Sequence, residues 1–198
     1  MSKLYFKYGT MGSSKTAQAL MTKFNYEQKG FKVFLIKPVI DKRNIENGEI
    51  VVKSRIGLSS PCSTFDTTTN LFDYVKQNGY LGEKCVVIVD EAQFCKTEQI
   101  DQLHQVSEVV PVLCYGLLTN FKTQLFEGSK RLVEISESLM EIKSVCECGK
   151  KSIVNARFIN GEIVTDGAEI MLGAEETYQS LCYSCFQKLK NNTKNAKN

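Results

Sequence analysis

The sequence predicts an α/β protein built on a parallel sheet, followed by a second, smaller module. Residues 85–89 and 111–115 are continuous apolar runs, typical of strands that are buried on both faces of a sheet. Segments of helical periodicity alternate with these runs, and such alternation favours a parallel sheet. Beyond Cys146 the pattern changes to two short strand-like runs around Asn160-Gly161, a strong hairpin turn signal. We therefore expect an α/β domain over residues 1–143 and a second module over residues 144–190.

The remaining elements follow from periodicity and from turn residues. We expect strands at residues 3–8 and 33–36, and helices at residues 15–30, 69–79 and 100–106. Residues 41–60 are polar and show no clear period, which predicts a mobile loop. The composition of residues 191–198 predicts a disordered tail.

The composition excludes several classes of protein. The chain has 198 residues, enough to bury a core and carry one accessory module. Its 25 Lys and Arg against 22 Asp and Glu give a net charge of +3, too balanced to indicate binding to nucleic acid or to a membrane surface. No apolar stretch approaches the roughly 20 residues that cross a bilayer, and no secretion signal precedes the first strand. We expect a cytoplasmic protein with no nucleic-acid or membrane partner.

A candidate phosphate-binding loop, GTMGSSKT, follows the first strand and opens the first helix. It consists of Gly9, Thr10, Met11, Gly12, Ser13, Ser14, Lys15 and Thr16. Backbone amides at the helix N-terminus can surround a phosphate, Lys15 can reach its outer oxygens, and the Thr16 hydroxyl can ligate Mg²⁺. Ser14 stands where the usual pattern has glycine; if the position requires a positive φ, serine costs about 1 kcal/mol. The alternative is a polar turn before an amphipathic helix.

Two adjacent acids end the buried strand at residues 85–89. Ligands of open α/β sheets bind at the carboxyl ends of strands, so Asp90 and Glu91 are expected to converge with the phosphate loop. Asp90 suits an outer-sphere partner of Mg²⁺, and Glu91 is then available to orient an acceptor hydroxyl and take its proton. The alternative is a pair of solvated acids in a turn.

Four of the eight cysteines form two close pairs that flank the predicted hairpin. Cys146 and Cys148 precede the hairpin, and Cys182 and Cys185 follow it. Four thiolates brought together in this way form a closed, tetrahedral Zn²⁺ site of structural type, whereas the alternative is free or loosely paired thiols. Cys85 and Cys114 lie within apolar runs and are expected in the core. The sequence indicates no role for Cys62 or Cys95.

Several segments together resemble one enzyme family. They are GTMGSSKT, KPVIDKR, SRIGLSSP, VDEAQF, CYGLLTNF, LFEGS, ETYQSLC and the paired cysteines. Over residues 3–190 the chain resembles the zinc-containing P-loop thymidine kinases, especially their bacterial members. The resemblance implies a RecA-like ATP-binding domain, a zinc domain with a lasso loop at residues 166–181 that closes over the nucleoside, and a homotetramer. It also implies phosphorylation of the 5′-hydroxyl of thymidine, and of deoxyuridine, by ATP with Mg²⁺, and feedback inhibition by thymidine triphosphate.

The same resemblance implies roles for individual residues. Asp41 and Arg43 support the phosphoryl site, and Glu91 is the base. The residues implied to enclose the nucleoside are Met11, Phe94, Leu117, Phe121, Phe126, Met171, Gly173 and Tyr178. Of these, Met171 and Gly173 contribute backbone groups of the lasso loop. For the apolar side chains the alternative is ordinary core packing, which is least expected for Phe121 and Phe126 in a polar loop.

Two rival functions share parts of this pattern. The DEAQ segment resembles the acidic motif of nucleic-acid-dependent ATPases, but such enzymes commonly need a second motor domain, and few residues follow Cys146. The cysteine module is also compatible with nucleic-acid binding. From Cys146 onward, however, seven basic residues face six acidic ones, so the module has no basic stripe for phosphates.

Overall fold

The computed structural model describes residues 3–39, 45–46, 48–167 and 176–195. Its elements, in chain order, are β1 (Leu4–Tyr8), α1 (Lys15–Glu27), β2 (Lys32–Pro38), β3 (Ile45–Glu46), β4 (Glu49–Lys53), β5 (Ser59–Pro61), β6 (Ser63–Phe65), α2 (Leu71–Gln77), β7 (Cys85–Val89), a 3-10 turn (Ala92–Phe94), α3 (Thr97–Ser107), β8 (Val112–Gly116), α4 (Glu127–Ile135), β9 (Ser138–Glu141), β10 (Val154–Ile159), β11 (Glu162–Val164), β12 (Glu176–Leu181) and α5 (Tyr183–Asn195).

A six-stranded sheet organises most of the chain, in the order β6-β2-β7-β8-β1-β9. Every neighbouring pair in it is parallel, which confirms the prediction of an α/β protein with a parallel sheet. Since parallel strands end at the same edge, the segments that follow β1, β7 and β8 meet there. The phosphate loop, the two acids and the start of the Leu117 segment therefore share one edge of the sheet.

The continuous apolar runs are explained by helices on both faces of this sheet. Val87 and Val89 of β7 pack with α2, α3 and α4 on one face, whereas Val86 and Ile88 pack toward α1 on the other. These three valines and the isoleucine are all fully buried. Within the described ranges, no helix combines the length and apolar character needed to span a membrane.

The described part of residues 41–60 differs from the mobile loop predicted there. β3, β4 and β5 form a three-stranded antiparallel sheet, and a tight turn joins β4 to β5. In that turn Gly57 adopts φ 89°, and the amide of Ser54 donates to the Leu58 carbonyl at 2.8 Å. The strands escaped detection because Val51 and Val52 are both buried, so the alternation that marks a half-buried strand is absent.

A second sheet, β11-β10-β12, lies between the two cysteine pairs in the chain. The predicted hairpin is confirmed: Asn160 and Gly161, with φ of 51° and 79°, join β10 to β11 as the turn requires. Val154 and Ala156 face a core shared with α5 and the cysteines. Helix α5 continues to Asn195, so residues 191–195 differ from the predicted disorder because the helix of the module extends into them.

Candidate active site

The phosphate loop has the backbone geometry that its sequence predicts. Gly12 and Ser14 both adopt left-handed conformations, with φ of 76° and 67°. A Cβ atom at Gly9 would overlap the Ile142 carbonyl oxygen, so this position requires glycine. Lys15 extends back across the loop and its Nζ donates to the Thr10 carbonyl at 2.7 Å. The loop thus curls around the lysine that opens α1.

The Lys15 ammonium group lies in a strongly perturbed environment. Burial lowers its pKa to about 8, the nearby Glu91 and Asp90 carboxylates oppose that shift, and the charge of Arg55 adds to it. Arg55 lies in the β4–β5 turn, and its Nη1 approaches the phosphate loop at Gly12: a Cβ built there would lie 3.6 Å away. A phosphate bound at the loop would restore the full positive charge of Lys15.

Asp90 links the end of β7 to the start of α1. The Thr16 hydroxyl donates to its Oδ2 at 3.1 Å, and the side chain is 5% exposed. Burial, followed by the charge of Glu91, raises the pKa of Asp90 to about 7. Thr16 and Asp90 together form an oxygen pair of the kind that supports Mg²⁺ beside nucleotide phosphates.

Glu91 is held in position by its backbone and by Gln93. Its φ of 53° and ψ of 37° are left-handed, an uncommon conformation for glutamate that often occurs at functional sites. The Gln93 side-chain nitrogen, Nε2, donates a hydrogen bond to Glu91 Oε2 at 2.5 Å. Its side-chain oxygen, Oε1, accepts a hydrogen bond from the Leu117 backbone amide at 3.0 Å. A Cβ on Gly116 would lie 2.7 Å from Gln93 Oε1. Gln93 thus ties Glu91 to the segment after β8.

The structure brings the residues implied to enclose the nucleoside into two groups. Phe94 and Phe126 pack edge to face with ring centroids 5.7 Å apart, and Leu117 is joined to them through Gln93. Phe121 lies under the Arg157 guanidinium, whose carbon is 3.8 Å from the ring centroid. Phe121 and Phe126 are 2% and 7% exposed, so both rings are packed rather than exposed in a polar loop.

Tyr178 and Met11 complete the described part of this set. Tyr178 lies on β12 in register with Arg157, and Met11 is bonded to the second sheet through its backbone. Four further residues implied by the resemblance, Asp41, Arg43, Met171 and Gly173, lie outside the described residues.

A cavity of about 220 Å³ lies beside the 3-10 turn, where Phe94, Phe126 and Gln99 contribute to its lining. The residues that line it include none of the phosphate loop and neither Asp90 nor Glu91.

The four paired cysteines form a compact cluster beside the second sheet: Cys146 and Cys148 precede β10, Cys182 directly follows β12, and Cys185 lies in α5. The sulfur atoms of Cys146, Cys148, Cys182 and Cys185 all lie within 4.8 Å of one another, and Cys148 Sγ is 3.6 Å from Cys182 Sγ. A Zn²⁺ ion with four thiolates at about 2.3 Å spaces the sulfurs about 3.8 Å apart, so the cluster fits it.

Hydrogen bonds within the cluster shift the pKa values of these thiols in opposite directions. Backbone amides, that of Cys182 before that of Cys148, lower the pKa of Cys146 to about 7. Hydrogen bonds to the other three sulfurs raise the pKa of Cys185 to about 12. Four sulfurs this close cannot all ionise without a cation among them.

Sequence reasoning assigned no site role to Gln93, Asn155, Arg157, Ser180 or Arg55. Gln93 lies in the DEAQ segment, where its proximity to Glu91 was the available signal. The other four come from strands and turns distant in sequence, and only the folded chain brings them to the phosphate and nucleoside side.

A strand, loop and helix that close around a lysine, beside a buried acid at the end of another strand of the same parallel sheet, define the P-loop class of phosphate-binding proteins. A family model described as thymidine kinase matches residues 2–186. The chain therefore belongs to the thymidine kinase family.

Proteins named thymidine kinase align along nearly the whole chain. The one from Enterobacteria phage T4 is 40% identical over 192 residues, covering 96% of this chain and 97% of the relative. The Haemophilus influenzae protein is 39% identical over 185 residues, covering 92% and 94%. The Rhodopirellula baltica protein is 37% identical over 191 residues, covering 95% and 89%.

Proposed function

We propose that this protein transfers the γ-phosphoryl group of ATP to the 5′-hydroxyl of thymidine, and of deoxyuridine. The observation that carries the proposal is the convergence of Lys15, Thr16, Asp90 and Glu91 at one sheet edge, in a chain of the thymidine kinase family. A generic phosphate-binding loop would not need a second acid beside Asp90.

The phosphate side of the reaction uses the loop and Lys15. Loop amides at the N-terminus of α1 bind the β-phosphate. The Lys15 ammonium group stabilises the negative charge that develops on the outer phosphate oxygens in the transition state. Thr16 and Asp90 would hold Mg²⁺, which supplies neutralisation of the β- and γ-phosphate charge when bound.

The acceptor side uses Glu91. Its carboxylate orients the 5′-hydroxyl, whose oxygen forms the new bond to the γ-phosphorus while the bond from that phosphorus to the β–γ bridging oxygen breaks. The leaving electron pair stays on ADP, and the hydroxyl proton passes to Glu91. The hydrogen bond from Gln93 fixes the carboxylate for this role.

The nucleoside is proposed to lie between the segment after β8 and the second sheet. Phe94, Leu117, Phe121, Phe126 and Tyr178 would enclose it, with Met11 at its base. The lasso loop would contribute backbone groups of Met171 and Gly173, and Asp41 and Arg43 would support the phosphates. The pairing of Arg157 with Tyr178 across β10 and β12 supports a site at this sheet face.

The chain is proposed to consist of two functional units. Residues 1–143 bind phosphate and carry Glu91, and residues 144–190 hold Zn²⁺ and the lasso loop. Four thiolates around Zn²⁺ leave no open position, so the ion has a structural role. A cytoplasmic homotetramer inhibited by thymidine triphosphate completes the proposal; the exposed Met21 and Phe24 on α1 offer an apolar surface for a subunit contact.

A radiolabelled ATP assay with thymidine, deoxyuridine, deoxycytidine and deoxyadenosine tests this function. We expect thymidine to give the highest kcat/KM, deoxyuridine to be accepted, and the other two to give little product. The Lys15→Ala protein should show a steep loss of kcat/KM with an intact fold. Comparable turnover of deoxycytidine would make the enzyme a general deoxynucleoside kinase, and ATP hydrolysis without any nucleoside product would favour the ATPase rival.

A further inference from the structure

Both backbone groups of Met11, in the middle of the phosphate loop, are bonded by side chains of the second sheet. The Met11 amide donates to Asn155 Oδ1 at 2.7 Å, and the Met11 carbonyl accepts from the Ser180 hydroxyl. Asn155 on β10 and Ser180 on β12 are direct partners in the strand register. One pair of opposite residues in this sheet, Asn155 and Ser180, therefore binds both backbone groups of one loop residue. We call this pair and its two hydrogen bonds to Met11 the clamp.

Asn155 also extends the contact to the acceptor side. Its Nδ2 donates to the Thr119 carbonyl at 2.9 Å, in the segment between β8 and Phe121. The side chain is 3% exposed and lies between Val154 and Ala156, which are 1% and 0% exposed. A buried amide is costly unless its groups are bonded, and here its oxygen serves the phosphate loop while its nitrogen serves the acceptor segment.

The loop has reason to need such support. Its left-handed residues, Gly12 and Ser14, are exposed. Met11 lies between Thr10 and Gly12 in the chain. The Thr10 carbonyl accepts a hydrogen bond from Lys15 Nζ at 2.7 Å. A shift of Met11 would therefore move the Lys15 anchor.

We propose that Asn155 and Ser180 are positioning residues that hold the phosphate loop in register with the nucleoside site, acting through Met11. The second sheet then sets the distance between donor and acceptor, in addition to holding zinc. This inference rests on the proposed function, because it concerns the alignment of the two substrates. Since displacements of about 1 Å cost up to about 10²-fold in rate, the effect falls on kcat.

Four variants and one matched control test the clamp. Ser180→Ala removes the hydroxyl that donates to the Met11 carbonyl, whereas Ser180→Thr keeps a hydroxyl. Asn155→Ala removes the hydrogen bonds to Met11 and to Thr119, and the double alanine variant removes both side chains of the clamp. Ser152→Ala is the control: its buried hydroxyl bonds the Ser180 carbonyl at 3.1 Å, so the same sheet loses a hydrogen bond while the two contacts to Met11 remain.

We expect Ser180→Ala and Asn155→Ala each to lower kcat about tenfold, with the KM for thymidine changed less than about twofold and zinc content unchanged. Ser180→Thr should restore most of kcat, and Ser152→Ala should keep it. The fold-decrease in kcat of the double variant should be smaller than the product of the two single fold-decreases, because both side chains act on Met11. Equal kcat in Ser180→Ala and Ser152→Ala, or independent losses in the double variant, would overturn the clamp.

Hydrogen exchange separates failure of the clamp from failure of the proposed function. Amide exchange in a peptide covering residues 9–16 should accelerate in Asn155→Ala, which frees the Met11 amide, and should stay unchanged in Ser152→Ala. This measurement needs no substrate. If the wild-type protein phosphorylates no nucleoside, the function fails while exchange still decides the clamp; unchanged exchange in Asn155→Ala overturns the clamp alone.

Discussion

Replacing Ser14 with glycine should stabilise the protein. Ser14 adopts φ 67° and ψ 21° at the N-cap of α1, and its side chain makes no capping hydrogen bond. An L-residue in this conformation costs about 1–2 kcal/mol. Glycine removes that strain but adds about 0.4–1 kcal/mol of chain entropy to the unfolded state. The net expectation is a gain of about 0.5–1 kcal/mol.

For a chain of this length such a gain corresponds to a rise in Tm of about 1–4 °C. Thermal unfolding followed by circular dichroism, at fixed zinc concentration, measures it. The kcat should stay within about twofold of wild type, because glycine can keep the backbone angles that the phosphate loop already has.

Ser14→Ala is the matched control, because it deletes the hydroxyl and keeps the Cβ atom. Its stability should stay within about 0.5 kcal/mol of wild type. If the Ser14→Gly protein is no more stable than the Ser14→Ala protein, the left-handed strain at Ser14 is refuted.

Three further predictions follow from the site and the cysteine cluster. The KM for ATP should rise about tenfold between pH 7 and pH 9, because Lys15, with a pKa of about 8, must take up a proton at the higher pH to pair with phosphate; a flat profile contradicts this. Without Mg²⁺, the contribution of Asp90 to wild-type stability should fall as pH rises from about 4 to about 7, because the folded protein holds the Asp90 proton that the unfolded chain releases. Asp90→Asn should lack this fall and be more stable at pH 8 in urea unfolding, and an equal pH slope in both proteins would count against it. Elemental analysis should find close to one Zn²⁺ per chain, lost in Cys182→Ala and kept in Cys85→Ala, whose thiol lies in the main core; a stable, metal-free wild-type protein contradicts the zinc site.

The sequence was most informative where local pattern and tertiary environment agree. The apolar run at β7 predicted a strand buried on both faces because helices cover both sides of it. The strand, loop and helix around Lys15 were predictable because the glycines and the helical period are local signals, and the left-handed angle suspected at Ser14 is present. The cysteine cluster was predictable because four thiols at these spacings have few other uses.

The remaining features depend on contacts that no local pattern encodes. The β3–β5 sheet has short strands and adjacent buried residues, so its period is lost. Asn155 and Ser180 lie far in sequence from Met11, and nothing in their own segments indicates that they bond the phosphate loop. Gln93 was overlooked because it acts through Glu91.

Rapid-quench measurement of a single turnover in the Glu91→Gln protein tests the central claim, that the acid after β7 and the phosphate loop form one reaction centre. Glutamine keeps the shape of the side chain but cannot take the hydroxyl proton. We predict that the rate of thymidine phosphorylation falls by about 10²-fold or more, while the Kd values for ATP and thymidine stay within about threefold. Glu98→Gln, on the exposed first turn of α3, should leave the rate unchanged. A Glu91→Gln protein that phosphorylates thymidine at nearly the wild-type rate would contradict the assignment.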